Sequence, residues 1–393
     1  MSSETRRFDG KSSAQKRLDS LKELKEKDEK IKRLEEVELR LKSVLGLSTD
    51  ADSAEVRQKV REELEQLNNL HEHRLQRSRI VGRLEDDYPI ELKSGPLPAG
   101  PSHIVKPQFH AVIVGIDMYE SYPLRGCVSD AQLMKEYLTE DLGVPNNHIQ
   151  LLLGSEEHSS PDDPMNPSRA NIITAFLSLA TNAEIKDGDI IIIYFAGHGS
   201  SYSSPDDVAI YGDIETLCPM DRDIIVNNEA IPDISDRELH TILSLIAEYK
   251  RSRITVILDC CYGGSIGLPE PGARTLPQTA HATPQDMLLA GEKSLKDRPG
   301  YRSILSNNWY PDMDSYVILT ACEDYQFAKE KRVEGKDGGH IGVFTDSLVR
   351  VLQSSYITED TTYVDLIVAL GSSVYQTPCV YGKSKGARIW YQD

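Results

Sequence analysis

Apolar positions along this chain follow two regimes. In the first hundred residues they recur at helical spacing. Ile31, Leu34, Leu41 and Leu45 sit at a/d-like positions with Glu38 interrupting, and Val56, Val60, Leu64 and Leu67 share one face further on. Residues 13–45 and 53–75 are therefore expected as two helices after a disordered start over 1–12, parted by Gly46 and the capping residues Ser48, Thr49 and Asp50. The pair fits a helical hairpin packed on itself, or a short coiled coil that self-associates or recruits a partner; fewer than three clean heptads leave both open. The run Gly95-Pro-Leu-Pro-Ala-Gly-Pro101 has linker composition. The organisation expected is a helical segment over 1–75, a linker over 76–107 and one large domain over 108–393.

From residue 108 the period changes. Short, nearly continuous apolar runs alternate with amphipathic stretches. Strands are expected over 109–116, 149–153, 190–195, 254–258 and 316–320, with a closing strand over 387–390. Helices are expected from 128 or 129 to 142, from 168 to about 182, and over 236–250, 344–352 and 365–375. Strands without polar alternation are buried on both faces, so the fold class is α/β, with a mostly parallel sheet covered by helices on both sides. Residues 266–315 break the pattern with many Pro, Gly, Gln and Thr, and divide the domain into a part over 108–265 and a part over 316–393. A stretch of that length without periodicity is expected to be a flexible, functional linker.

Composition removes some functions. The net charge is −18, which disfavours an extended nucleic-acid surface or an anionic membrane and is compatible with basic peptides as partners. No stretch reaches the roughly 18 consecutive apolar residues of a membrane helix, and the N-terminus lacks an apolar signal region. The six cysteines, at 127, 218, 260, 261, 322 and 379, show no zinc spacing. They suit reduced thiols and a cytoplasmic location better than a disulfide frame.

Two strand ends carry the chemistry. Asp189-Ile-Ile-Ile-Ile-Tyr-Phe-Ala-Gly-His-Gly-Ser200 ends in His198 between two glycines. Arg253-Ile-Thr-Val-Ile-Leu-Asp-Cys-Cys-Tyr-Gly-Gly-Ser265 ends in Asp259-Cys260-Cys261. Reactive groups at the carboxyl ends of strands in an open α/β sheet face the ligand crevice. A thiol there needs a base to ionise it, and an imidazole supplies one and later protonates the leaving amine. Chemistry alone does not choose between Cys260 and Cys261. A redox role for the adjacent pair is disfavoured, because neighbouring cysteines form only a strained bridge.

These motifs, in this order, resemble the caspase-like cysteine peptidases, and metacaspases in particular, from about residue 108 to the end. The resemblance implies a caspase-like fold and an endopeptidase that forms an acyl-enzyme. It makes Cys261 the nucleophile, His198 its base, and the amides of Gly199 and Cys261 an oxyanion hole. Leu124-Arg-Gly-Cys-Val-Ser-Asp130 is similar to the family motif whose last residue lines the primary pocket beside Asp259. Two carboxylates there favour Arg or Lys before the cut, with a bidentate fit for guanidinium. The plain alternative for Asp130 is helix capping, and for Asp259 a structural acceptor. Leu319-Thr-Ala-Cys-Glu-Asp-Tyr-Gln-Phe-Ala-Lys-Glu330 resembles the strand and loop behind the family's active site.

The resemblance also implies that no cofactor is required while calcium remains an option, through Asp221 and Asp236, with Asp223 as a further contributor. Arg237 stands where a second aspartate is usual, and a cation there removes a ligand and adds repulsion. Ala196 is a second departure. An Arg/Lys pocket makes four basic residues within 266–315 candidate autoprocessing sites: Arg274, Lys293, Lys296 and Arg298. A role in programmed cell death belongs to the family and is not written in these residues. A different class of function fits the same chain, a catalytically weak scaffold or signalling adaptor that binds through its N-terminal helices.

Overall fold

The computed structural model describes residues 107–202, 214–261, 272–279, 281–306, 309–323, 326–333, 339–371 and 376–391. The expected N-terminal helices, the 95–101 linker and Gly263-Gly264 lie outside those residues. Strand β1 (Phe109–Ile116) leads into helix α1 (Cys127–Glu136), followed by β2 (Ile149–Gly154), α2 (Arg169–Thr181) and β3 (Ile190–Ala196). Next come the short strands β4 (Gly199–Tyr202), β5 (Ile214–Leu217), β6 (Ile225–Val226), β7 (Glu229–Ala230) and β8 (Ile234–Ser235). Helix α3 (Asp236–Lys250) precedes β9 (Arg253–Asp259), and α4 (Pro284–Leu295) precedes β10 (Tyr316–Thr320). The chain closes with β11 (Glu330–Arg332), β12 (His340–Gly342), α5 (Val343–Leu352), α6 (Tyr363–Leu370) and β13 (Cys379–Tyr381).

Six strands form the central sheet in the order β13-β10-β9-β3-β1-β2. The five strands from β2 across to β10 are parallel, and β13 pairs antiparallel with β10 at the edge. The mostly parallel α/β sheet expected from the sequence is present. All seven residues of β3 are buried, as a strand between two helix layers requires. Each of its isoleucines stabilises by about 1.5–3 kcal/mol through burial. Helix α2 packs on α3, and α1 on α5. The α2 and α3 caps are Ser168 and Ser235, whose side chains accept from the amides of Asn171 and Glu238, satisfying donors the helix cannot.

Four expectations are corrected. The 387–390 strand is absent: residues Ile389–Tyr391 form a 3-10 turn with Trp390 at φ 57, and the sheet edge is β13, just after Pro378. The 365–375 helix is Tyr363–Leu370, ending at Gly371 with φ 69, and opens on a capping box between Thr362 and Asp365. Within 266–315 the structure holds α4, capped by Thr283 and Asp286 with Pro at its start. Helix α1 also gives way to a π-helical turn over Tyr137–Asp141, so the expected 128–142 helix is split.

Candidate active site

Register brings the two reactive strand ends together. Strands β3 and β9 are neighbours with Ala196 opposite Asp259, so two further residues set His198 and Cys261 at matching positions beyond the sheet. Both are buried. The main-chain N–H of His198 donates to the Tyr119 hydroxyl at 2.9 Å, and that hydroxyl donates to the Cys218 carbonyl at 3.0 Å. The Tyr119 and His198 rings pack with centroids 4.5 Å apart. His198 Nε2 lies 2.7 Å from the Tyr122 carbonyl oxygen. A carbonyl can only accept, so Nε2 carries the proton and Nδ1 the lone pair. Nδ1 is buried and has no hydrogen-bond partner. Burial pushes the imidazole down to about 3, against the opposing pull of the Tyr122 bond. It is therefore neutral near pH 7, with its lone pair on Nδ1.

The Cys261 sulfur accepts the Ala328 amide proton at 2.6 Å, and its thiol donates to the Ala328 carbonyl oxygen at 3.6 Å. No direct hydrogen bond joins Cys261 to His198 among the described residues. What lies across the site is the chain's own residue 274. The Arg274 carbonyl oxygen accepts from the amides of both Gly199 and Cys261, each at 3.1 Å. Gly199 has no alternative residue type here, since a Cβ would fall 2.2 Å from the Cys261 carbonyl oxygen. Such a pair of fixed donors can stabilise an oxyanion.

The Arg274 side chain enters an acidic pocket and is fully buried. Nη1 lies 2.7 Å from Asp259 Oδ2, Nη2 pairs with Asp130 Oδ2, and Glu330 Oε1 stands 3.6 Å from Nη2. Thr345 donates to Asp259 Oδ2 at 2.6 Å, and the Gly342 amide donates to Asp130 Oδ1 at 2.8 Å. Gly342 floors the pocket: a Cβ there would lie 2.6 Å from an oxygen of each aspartate. Burial pushes the Asp130 carboxyl up to about 7, against the pull of Arg274. Helix α1 is capped by Gly126 without a side-chain bond, so the capping alternative for Asp130 does not hold.

A sequence model of the caspase domain matches residues 108–386. The chain belongs to that family. It is 30% identical over 157 residues to metacaspase-3 of Arabidopsis thaliana, covering 40% of each chain. It is 27% identical over 251 residues to metacaspase-4 of the same plant, covering 61% of this chain and 53% of that one. It is 29% identical over 156 residues to metacaspase-1A of Aspergillus oryzae, covering 39% and 34%. The chain thus spans between about a third and half of the length of these relatives.

The caspase-domain fold carries two residues to this site that the sequence reading missed. Tyr119 fixes the His198 main chain and packs on its ring. Glu330 adds a third acid near Arg274 and accepts the Gly126 amide at 2.7 Å, which ties the loop before α1 to β11. Their only signals were a tyrosine soon after β1 and one acid in a charged run that reads as solvated surface. The calcium candidates are not brought together. Asp221 accepts the Arg169 amide at 2.7 Å and lines a cavity of about 540 Å³, whereas Asp236 lines another of about 270 Å³. Asp223 accepts from the Thr279 hydroxyl. Arg237 donates to the Ile304 carbonyl at 2.8 Å and lies over the Trp309 ring. These residues do not fit a shared calcium ion. Among the described residues the cluster with metal-ligand spacing is instead Asp117, Cys127 and Glu330.

The basic candidates of 266–315 also separate. Lys293 lies within α4 and Lys296 caps its end, both exposed, while Arg298 bonds back to Leu295 through its amide at 2.9 Å. Arg274 alone among the four is extended across the strand ends. Among the described residues no helix is long and apolar enough to cross a membrane.

Proposed function

We propose that the protein is a cysteine endopeptidase that cuts after Arg or Lys, and that its first substrate is its own Arg274–Thr275 bond. One observation carries this: Arg274 has its guanidinium on Asp130 and Asp259 while its carbonyl oxygen accepts from Gly199 and Cys261. That is the arrangement a bound substrate needs, side chain in the selective pocket and reacting carbonyl on fixed donors. A caspase-like peptidase that cuts after Asp would need cations in place of these carboxylates.

The reaction balances on these groups. His198 Nδ1 takes the Cys261 thiol proton, and the thiolate adds to the Arg274 carbonyl carbon. Negative charge moves to the carbonyl oxygen, where the Gly199 and Cys261 amides hold it. The imidazolium then protonates the Thr275 nitrogen as the C–N bond breaks, leaving a thioester at Cys261. Water, deprotonated by His198, adds to the thioester; the C–S bond breaks and the thiol is restored. The Tyr122 carbonyl holds the imidazole in the tautomer this requires, and Tyr119 packs on the ring.

The test is to incubate the purified full chain and its Cys261→Ala form, and map new N-termini by mass spectrometry. Peptides ending in Arg and in Asp before a fluorophore are assayed beside them. Expected are a new N-terminus at Thr275 in the active form alone, at a rate independent of protein concentration, and hydrolysis of the Arg peptide only. Identical fragments from both forms, or cutting after Asp, would overturn the proposal.

A further inference from the structure

The contacts around Arg274 continue past the bond it precedes. Thr275 forms a parallel bridge with Gly199. The Gly199 amide donates to the Arg274 carbonyl at 3.1 Å, and the Gly199 carbonyl accepts the Leu276 amide at 2.8 Å. One residue of β4 therefore grips the chain on both sides of the bond. Thr275 is fully buried and Leu276 is 4% exposed, packed into the main core, whereas Pro277 and Gln278 are exposed. Beyond them Arg222 Nη2 donates to the Pro277 carbonyl at 2.8 Å. The Thr279 amide donates to the Tyr202 hydroxyl at 3.2 Å, and its own hydroxyl to Asp223.

These partners are built into the fold. Asp233, fully buried, accepts the Tyr202 hydroxyl at 2.9 Å through Oδ2, and Arg222 Nε lies 2.9 Å from its Oδ1. A buried carboxylate that orients both a guanidinium and a phenol fixes the donor and acceptor that receive the peptide. On the other side of the bond the segment adds to β11 in antiparallel sense: Ala273 bridges Lys329, the Arg274 amide donates to the Ala328 carbonyl at 3.1 Å, and the Glu330 amide donates to the Gly272 carbonyl at 3.2 Å. An extended peptide is held by its main chain throughout, and its buried side chains decide selectivity.

We propose that Gly199, Tyr202, Arg222 and Asp223 form a subsite for the peptide beyond the cut, one that selects a small β-branched residue first and an aliphatic residue second. This rests on Arg274–Thr275 being a substrate of the site. The two buried positions set the selection. A charged residue in place of Leu276 would enter the core unpaired, while the exposed Pro277 and Gln278 positions tolerate exchange. The proteins cut by this enzyme would then carry Arg or Lys, a small residue and an aliphatic residue in succession.

The test uses the full chain after autoprocessing and three peptides that span the bond: Gly-Ala-Arg-Thr-Leu-Pro-Gln-Thr, the same with Asp in place of Leu, and the same with leucic acid, whose ester oxygen replaces the amide that Gly199 binds. Gly-Ala-Arg-aminomethylcoumarin, with nothing peptidic beyond the cut, is the control. Relative to the Leu peptide, kcat/KM is expected to fall roughly 10- to 100-fold for the Asp form and about 3- to 10-fold for the ester. If the three spanning peptides agree within about twofold while the coumarin substrate is cleaved, the subsite is wrong and the peptidase reading stands. If the coumarin substrate is not cleaved either, the peptidase reading fails and takes the subsite with it.

Discussion

Replacing Arg274 with Ala in a Cys261→Ala chain, which cannot cut itself, isolates the pocket's electrostatics. Arg274 is fully buried between Asp130 and Asp259, with Glu330 at 3.6 Å. Removing one partner of a buried ion pair costs about 3–5 kcal/mol, because the charges left behind have lost both water and their counterion. Water entering the vacated pocket rehydrates the carboxylates in part, which favours the lower end. For a compact unit spanning His103–Asp393, unfolding entropy scales to roughly 0.6 kcal/mol per kelvin, so the expected fall in Tm is about 5–8 °C. The sign with pH follows from the direction of the shift. Burial, with repulsion from Asp259, raises the Asp130 carboxyl above its unfolded value, so it holds a proton more readily in the folded state. Below the folded pKa the penalty is relieved, and as pH rises through it the penalty returns in full. The deficit relative to the Cys261→Ala parent should therefore be larger at pH 8.5 than at pH 6. Argininamide at about a hundred times its Kd should restore about 2.7 kcal/mol. The assay is thermal unfolding of both proteins at pH 8.5 and 6, with and without argininamide. Equal Tm values at both pH values, with no response to argininamide, would refute the assignment of this pocket to a guanidinium.

Two further outcomes follow from the same geometry. Hydrolysis of an Arg peptide by the processed enzyme should lose kcat/KM as pH drops below about 7, since a protonated Asp130 no longer attracts the cation; Asp130→Asn should lower kcat/KM by about 10²-fold and flatten that limb, and a profile unchanged by the substitution would assign the limb elsewhere. Activity should also persist within about twofold in a calcium chelator, because Asp221 and Asp236 line separate cavities and Arg237 is engaged with Ile304 and Trp309; full inactivation reversed by added calcium would contradict this.

What the sequence disclosed depended on how local the physics was. The four isoleucines of β3 and the apolar run of β9 are legible because a strand buried on both faces tolerates nothing else, and the glycines around His198 mark where the backbone turns out of the sheet. The sheet edge was misplaced because Ile389 and Trp390 are apolar for packing rather than pairing, while the true edge strand has only three residues. Helix α4 was hidden by the Pro and Thr around it, although Thr283-Pro-Gln-Asp286 is a capping signal in its own right. Glu330 could not be distinguished from solvated charge, since its neighbours in the chain are basic and its partners, Gly126 and Arg274, are far away in sequence. Arg274 was one of four basic candidates until the fold placed it across the strand ends.

That placement gives the uncut chain an electrostatic reason to occupy its own pocket. Two buried aspartates are costly without a counterion, and here the chain supplies it through Arg274. Gly199 then sets both the stability and the reactivity of the arrangement, because its amide and carbonyl align the bond that joins Arg274 to Thr275. If that bond is cut as proposed, the guanidinium would be severed from the contacts that hold Leu276 and Pro277, and the preceding half would remain only through the pocket and the short pairing beside β11. On the proposed reading, the same carboxylates would then be open to exchange with a substrate's Arg or Lys, and selection would pass from the chain's own sequence to that of its partner.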